Sequence, residues 1–182
     1  MQPGARTQAA RLPGKPRRGK PNAVRDADWN DSIASMLLST ANFWRRSGNA
    51  YYRELFGISI TEVAILTVLQ RRAPLTLNAI ADHCGVDKTQ MSREVKDLVE
   101  RKLVRQNKSL RHGSELEISL DKDGQRLCAR LKPATAARFK TLLESLTPRE
   151  VDQLDGLLQR LLGNARSMAQ GENASRKPQQ VR

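Results

Sequence analysis

Six side chains between residues 88 and 96 have the right chemistry to grip a nucleic acid. Lys88, Thr89, Gln90, Ser92, Arg93 and Lys96 end in groups able to hydrogen-bond base edges or phosphates. Spacing decides where they point. In a helix turning about 100° per residue, with Met91 at zero, Val95 falls near 40° and Leu98 near 340°. Arg93 then lies near 200°, Thr89 near 160° and Lys96 near 140°, away from that apolar line. Gln90 and Ser92 flank them, and Lys88 sits in the first turn. A helix of this kind fits the B-DNA major groove. A polar face alone is also what any amphipathic helix turns toward water, so the neighbouring elements must decide.

Those neighbours are specific. Asp87 precedes the helix as a cap, with Gln90 at its third position, and the helix is expected to run to about Lys102. Before it, Thr76 caps a short helix over about 77–83 with Leu77, Ile80 and Ala81 on one face, broken by Gly85. After it, Leu103 and Val104 begin a strand, and Leu116, Ile118 and Leu120 alternate with polar residues as a second one. Lys108 to Gly113 form the polar tip between them, carrying Arg111. A bracing helix, a glycine turn, a polar-faced helix and a β-hairpin together predict a winged helix-turn-helix, with Arg111 a further DNA contact.

Longer helices flank this unit. Ile33, Met36, Leu37, Ala41, Trp44, Tyr51 and Leu55 recur at helical spacing from about Asp28 to Phe56, where Gly57 ends the helix. Ser59 and Glu62 have capping-box spacing at the start of a second helix over about 60–72. Asp121 caps another through about Ser145, which Pro133 should kink or divide. Thr147, Pro148 and Glu150 start the last helix, with Leu154, Leu157, Leu158, Leu161 and Leu162 along it. These leucines and the long first helix offer more apolar surface than one small reading head can cover, which predicts a homodimer.

The run from Leu75 through Arg93 (Leu-Thr-Leu-Asn-Ala-Ile-Ala-Asp-His-Cys-Gly-Val-Asp-Lys-Thr-Gln-Met-Ser-Arg) resembles the bracing and recognition helices of MarR-type (multiple antibiotic resistance regulator) repressors. Val95 to Val104, Ile118 to Gly124 and Leu146 to Glu150 extend the resemblance over roughly residues 30–163. It implies a two-fold dimer built from the first and last helices. It also implies binding to a palindromic operator, often relieved by a small ligand or by oxidation. Where the family usually carries an Asp-x-Arg pair in the wing, this chain has His112 and Ser114, with Arg111 the nearest basic side chain.

Charge fits a polyanionic partner. The 182 residues hold 32 Lys and Arg against 19 Asp and Glu, a net charge of +13. The excess is concentrated at the ends: residues 1–25 carry seven basic residues and no acid. Residues 75–120 carry eight basic against seven acidic residues, so a DNA surface there must segregate its charges. The expected organisation is a disordered basic tail over 1–27, one winged helix-turn-helix domain over 28–165 and a disordered tail over 166–182. Within that domain, 28–56 and 122–165 are the dimerisation helices and 58–121 the reading head. The fold class is mainly α with a small two-stranded β wing.

Other candidates are weaker. Cys84 and Cys128 cannot build a disulfide framework, and with His83 and His112 they do not have metal-site spacing. They read as small buried residues of a reducing cytoplasm, and no cofactor is implied. Phe43, Trp44, Tyr51, Tyr52 and Phe56 concentrate the aromatic content in one helix, read either as packing in the dimer core or as the wall of a small-molecule effector cavity. No nucleophile motif, glycine-rich phosphate loop or paired carboxylates appear, which argues against an enzyme. No run approaches a membrane span. The reading that results is a cytoplasmic, homodimeric regulator of double-stranded DNA, acting as a repressor. The alternatives are an architectural DNA-binding protein relying on its basic tails, and a winged-helix protein-interaction module.

Overall fold

The computed structural model describes residues 32–108 and 115–175. The described elements are α1 (Ile33–Phe56), α2 (Ile60–Arg72), β1 (Leu75–Thr76), α3 (Leu77–Cys84), α4 (Lys88–Glu100), β2 (Val104–Lys108), β3 (Leu116–Leu120), α5 (Lys122–Leu143) and α6 (Pro148–Ser175). Packing divides the chain within α1, between Ser47 and Gly48. On the N-terminal side, the Ser32 hydroxyl accepts the Ser35 amide at 3.1 Å and opens the helix. The Arg46 guanidinium stacks over Phe43 at 4.9 Å, and Ile33, Met36, Leu37 and Leu38 are exposed. The four residues expected in the helix before Ser32 lie outside the described residues.

The other unit holds the core. Tyr52, Ile58, Ile65, Leu66, Leu69, Ile80, Met91, Val95, Leu98, Val104 and Ile118 are all at most 2% exposed. They come from α1, α2, α3, α4 and the sheet, so one apolar cluster sets the mutual placement of every element in the reading head. Each helix start in it is satisfied locally. The Ser59, Thr76, Asp87 and Asp121 side chains accept amide hydrogens of Glu62, Ala79, Gln90 and Lys122. Gly85 closes α3 in the left-handed region at φ 64, where an L side chain is disfavoured, and so turns the chain between the two short helices.

Four features depart from sequence expectation. The wing is part of a three-stranded sheet, ordered β1-β3-β2, because Leu75 and Thr76 pair antiparallel with Ile118 and Glu117. The hairpin itself has the expected register, Val104 opposite Leu120 and Lys108 opposite Leu116. Only Ile118 and Leu120 of the alternating set are buried; Leu116 is exposed, toward the tip and past the edge of the core. α5 is not divided at Pro133. The proline lacks the amide that would bond the Ala129 carbonyl, but both residues are exposed, so water can take that acceptor, while Leu127, Cys128 and Leu131 hold the helix from its buried face. Finally, α6 reaches Ser175, ten residues beyond the expected boundary at 165. Residues 166–175 are therefore helical rather than a disordered tail; no proline intervenes before Pro178, and Ala and Met favour continuation. The first tail, residues 1–27, lies outside the described residues, as do 176–182.

The C-terminus of α4 is a Schellman motif. The Lys102 amide donates to the Val99 carbonyl and the Leu103 amide to the Leu98 carbonyl, both at 2.9 Å. Lys102 occupies the left-handed position at φ 56, where glycine is usual. A side chain there costs about 1 kcal/mol. Lys102→Gly should therefore raise the unfolding free energy by up to about 1 kcal/mol, or a few degrees in Tm. Urea titration is the check, and unchanged or lower stability would contradict it.

Candidate nucleic-acid interface

Met91, Val95 and Leu98 are at most 1% exposed, so the inner face of α4 is the one the 100° geometry predicts. The outer face follows. Lys88, Thr89, Gln90, Ser92, Arg93 and Lys96 are all exposed: Thr89, Arg93 and Lys96 stand opposite the buried line, Gln90 and Ser92 flank them, and Lys88 is in the first turn. Arg111 belongs to the wing tip, 109–114, and lies outside the described residues. Among the described residues Arg93 makes no ion pair, which leaves its guanidinium donors for a ligand. Lys96 meets Glu100 at 3.8 Å, but both side chains are more than half exposed, so the pair is weak and screened.

α4 is held at both ends and along one edge. At its start, the Asp87 carboxylate takes the Gln90 amide at 2.9 Å. α3 braces it by burying Ile80 and Ala81 in the same core. Along its edge runs a polar network absent from sequence expectation. The Arg101 Nη1 donates to Glu62 Oε1 at 2.8 Å, Glu62 Oε2 accepts the Ser59 amide at 2.6 Å, and the Ser59 hydroxyl donates to Glu94 Oε2 at 3.2 Å. Beside this network opens a groove of about 540 Å³, bordered by Arg53, Gln90, Arg93 and Asp97. Ser59 and Glu62 were recognisable as a capping box, and that role accounted for both residues; nothing in the local pattern marks Arg101, 39 residues away, as their partner.

The remaining candidates settle into structural roles. Cys128 is buried and its thiol points to the Leu66 carbonyl at 3.7 Å. Burial raises the pKa of both Cys84 and Cys128, which keeps the thiols protonated and poorly reactive. Tyr52 is buried in the core of the reading head, packed edge-on to Tyr51 at 5.2 Å, with Phe56 alongside; on the N-terminal side of α1, Phe43 is exposed. The Arg138 guanidinium lies over Tyr51 at 5.0 Å and Tyr52 at 5.6 Å, and the Tyr52 hydroxyl meets Thr135 Oγ1 at 3.3 Å, so these rings tie α1 to α5. Among the described residues, no helix is long and apolar enough to cross a membrane.

Known proteins share this arrangement. A sequence model of the MarR family matches residues 56–113, from the end of α1 through the wing tip. A MarR/EmrR family transcriptional regulator from Acinetobacter sp. ADP1 is 29% identical, with a TM-score of 0.72 over 78% of this chain and 99% of that one. A MarR family transcriptional regulator from Silicibacter pomeroyi superposes with a TM-score of 0.69 at 17% identity, covering 80% of this chain and 98% of its own. MepR of S. aureus, solved as a complex with DNA, has the same fold at 18% identity, with a TM-score of 0.63 over 73% of this chain and 98% of that one. No curated protein matches the sequence. The family model over the reading head, and a solved regulator that aligns over nearly its whole length, agree with the helix-turn-helix and wing built here: residues 56–113 match the MarR family, and the chain is similar over most of its length to winged helix-turn-helix transcription regulators of that family.

Proposed function

We propose that the protein is a homodimeric operator-binding regulator, most simply a repressor, which places α4 in the major groove and the wing against the neighbouring backbone. The observation that carries this reading is the polarity of α4. Three side chains at most 1% exposed anchor one face, Thr89, Arg93 and Lys96 stand exposed opposite them, and Lys88, Gln90 and Ser92 are exposed around them, with Arg93 unpaired among the described residues. Arg93 and Gln90 read base edges; Lys88, Thr89, Ser92 and Lys96 engage phosphates or bases; Arg111 supports the wing contact. The basic N-terminal residues add affinity without sequence preference, through counterion release. A cytoplasmic location is part of the same proposal. Release by a small-molecule effector is part of the proposal, in keeping with the resemblance to regulators relieved in that way.

Dimerisation supplies the symmetry that a palindromic operator requires. Leu157, Leu158, Leu161, Leu162 and Met168 on α6 are 41–67% exposed in the single chain, as are Ile33, Met36 and Leu38 on α1. That much apolar surface is unfavourable in water and is covered, in this proposal, by a second copy. Two measurements test it together. Light scattering at micromolar concentration should give about twice the 20.4 kDa chain mass. Selection from a random DNA pool should return an inverted repeat with half-site centres about one helical turn apart. A monomer, or a pool that never acquires symmetry, would overturn the reading.

A further inference from the structure

Among the described residues, Glu62 is the one charged side chain buried in the fold, at 6% exposure. Both its oxygens are used, one by the Ser59 amide and one by Arg101. Arg101 is the C-cap of α4, and the Schellman bonds after it fix the backbone from which its guanidinium reaches out. The second tie, Ser59 to Glu94, meets α4 seven residues earlier. Seven residues is nearly two turns, so Glu94 and Arg101 lie along one edge of the helix. α4 is therefore bonded twice along that edge to the N-terminal turn of α2.

Hydrophobic burial is not directional. A short apolar strip, Met91, Val95 and Leu98 with Val99 packed beside them, resists separation of α4 from the core far more than it resists rolling or tilting. Hydrogen bonds and ion pairs are directional and restrain both motions. The lever is long: Gln90 lies 11 residues from Arg101, about 16 Å along the axis, so a tilt of about 10° would displace it by about 3 Å, a full hydrogen-bond length.

We propose that Glu62 and Arg101 are positioning residues for DNA reading: their ion pair, seconded by Ser59 and Glu94, sets the tilt and roll of α4 and so the discrimination between DNA sites. The inference rests on the reading of α4 as the recognition helix. It does not require either residue to touch DNA, and Glu62 is too buried to do so. Only the Glu62 half of the pair is buried, and burying a carboxylate offsets much of what its ion pair gains, so geometric specificity is the role assigned to the pair here.

The test uses the full chain with two duplexes of equal length, the site enriched from a random pool and an unselected sequence, at matched salt and well below each variant's unfolding midpoint. Glu62→Gln removes the charge and nearly preserves shape. Its preference for the enriched site should fall at least about tenfold, with affinity for the unselected duplex changing less than about twofold. If Glu62→Gln does not fold, Arg101→Gln carries the test, because Arg101 is 41% exposed and tolerates change better; the same loss of preference is expected, with part of it restored in Arg101→Lys. Arg126→Gln, which breaks the exposed pair with Asp123, is the control and should leave the ratio unchanged. A folded Glu62→Gln or Arg101→Gln protein with wild-type preference, or equal losses on both duplexes, would overturn the positioning role. A wild-type protein that itself lacks preference would instead overturn the reading of α4, and this inference with it.

Discussion

Arg93→Ala is expected to weaken binding to the preferred DNA site by ~1–3 kcal/mol while leaving the thermal unfolding midpoint unchanged. Arg93 stands opposite the buried line of Met91, Val95 and Leu98, near the middle of α4, and makes no ion pair among the described residues. Removing an exposed, unpaired side chain should cost the fold less than about 0.5 kcal/mol. The whole effect should therefore appear in the complex. The form of the loss identifies the contact. A loss confined to one base-pair position, with unselected DNA unaffected, means a guanidinium reading a base edge. An equal loss on every sequence, with a shallower salt dependence, means a phosphate contact. Wild-type affinity at matched salt would show that α4 does not approach DNA along this face.

The second large effect is on the fold. Gly124→Ala should destabilise the protein by at least about 3 kcal/mol, beyond the usual cost of an extra core methyl. Gly124 lies in the first turn of α5, and a Cβ there would be driven into the Leu103 carbonyl oxygen, with the Leu103 carbonyl carbon at 3.0 Å. Neither partner can retreat cheaply. Leu103 is buried, its amide is bonded to Leu98, and its carbonyl accepts the Asp121 amide at 3.0 Å. The base of the wing and the start of α5 are thus joined at one backbone group. A midpoint drop of roughly 10 °C is expected. A loss under about 1 kcal/mol would mean that α5 can slide on the wing base, contrary to the packing described.

Much of this was legible from the residues because it is local. Thr76, Asp87, Asp121 and Thr147 announce helix starts through side-chain oxygens, and each is within three residues of the amide it accepts. The inner face of α4 follows from the spacing of Met91, Val95 and Leu98 alone. What was missed is non-local or overridden by packing. Leu75 and Thr76 make a strand only because β3 arrives 41 to 43 residues later in register with them, Thr76 pairing with Glu117 while its side chain caps α3. Glu62 looked fully explained by Ser59 until Arg101 arrived from the far end of α4. Pro133 is a strong local breaker, but its unmet acceptor faces water and the buried side of α5 continues past it. The extent of α6 was underestimated because a basic, glycine-containing stretch resembles a tail when no partner surface is visible.

Whether α4 selects DNA by sequence is decided by equilibrium competition at physiological salt between the site enriched from a random pool and unselected duplex of the same length. A preference of at least about 10³-fold is expected, the lower bound for specific recognition by a regulator. A preference below about tenfold, with affinity falling steeply with salt on both duplexes alike, would contradict it and leave the basic tails as the source of binding.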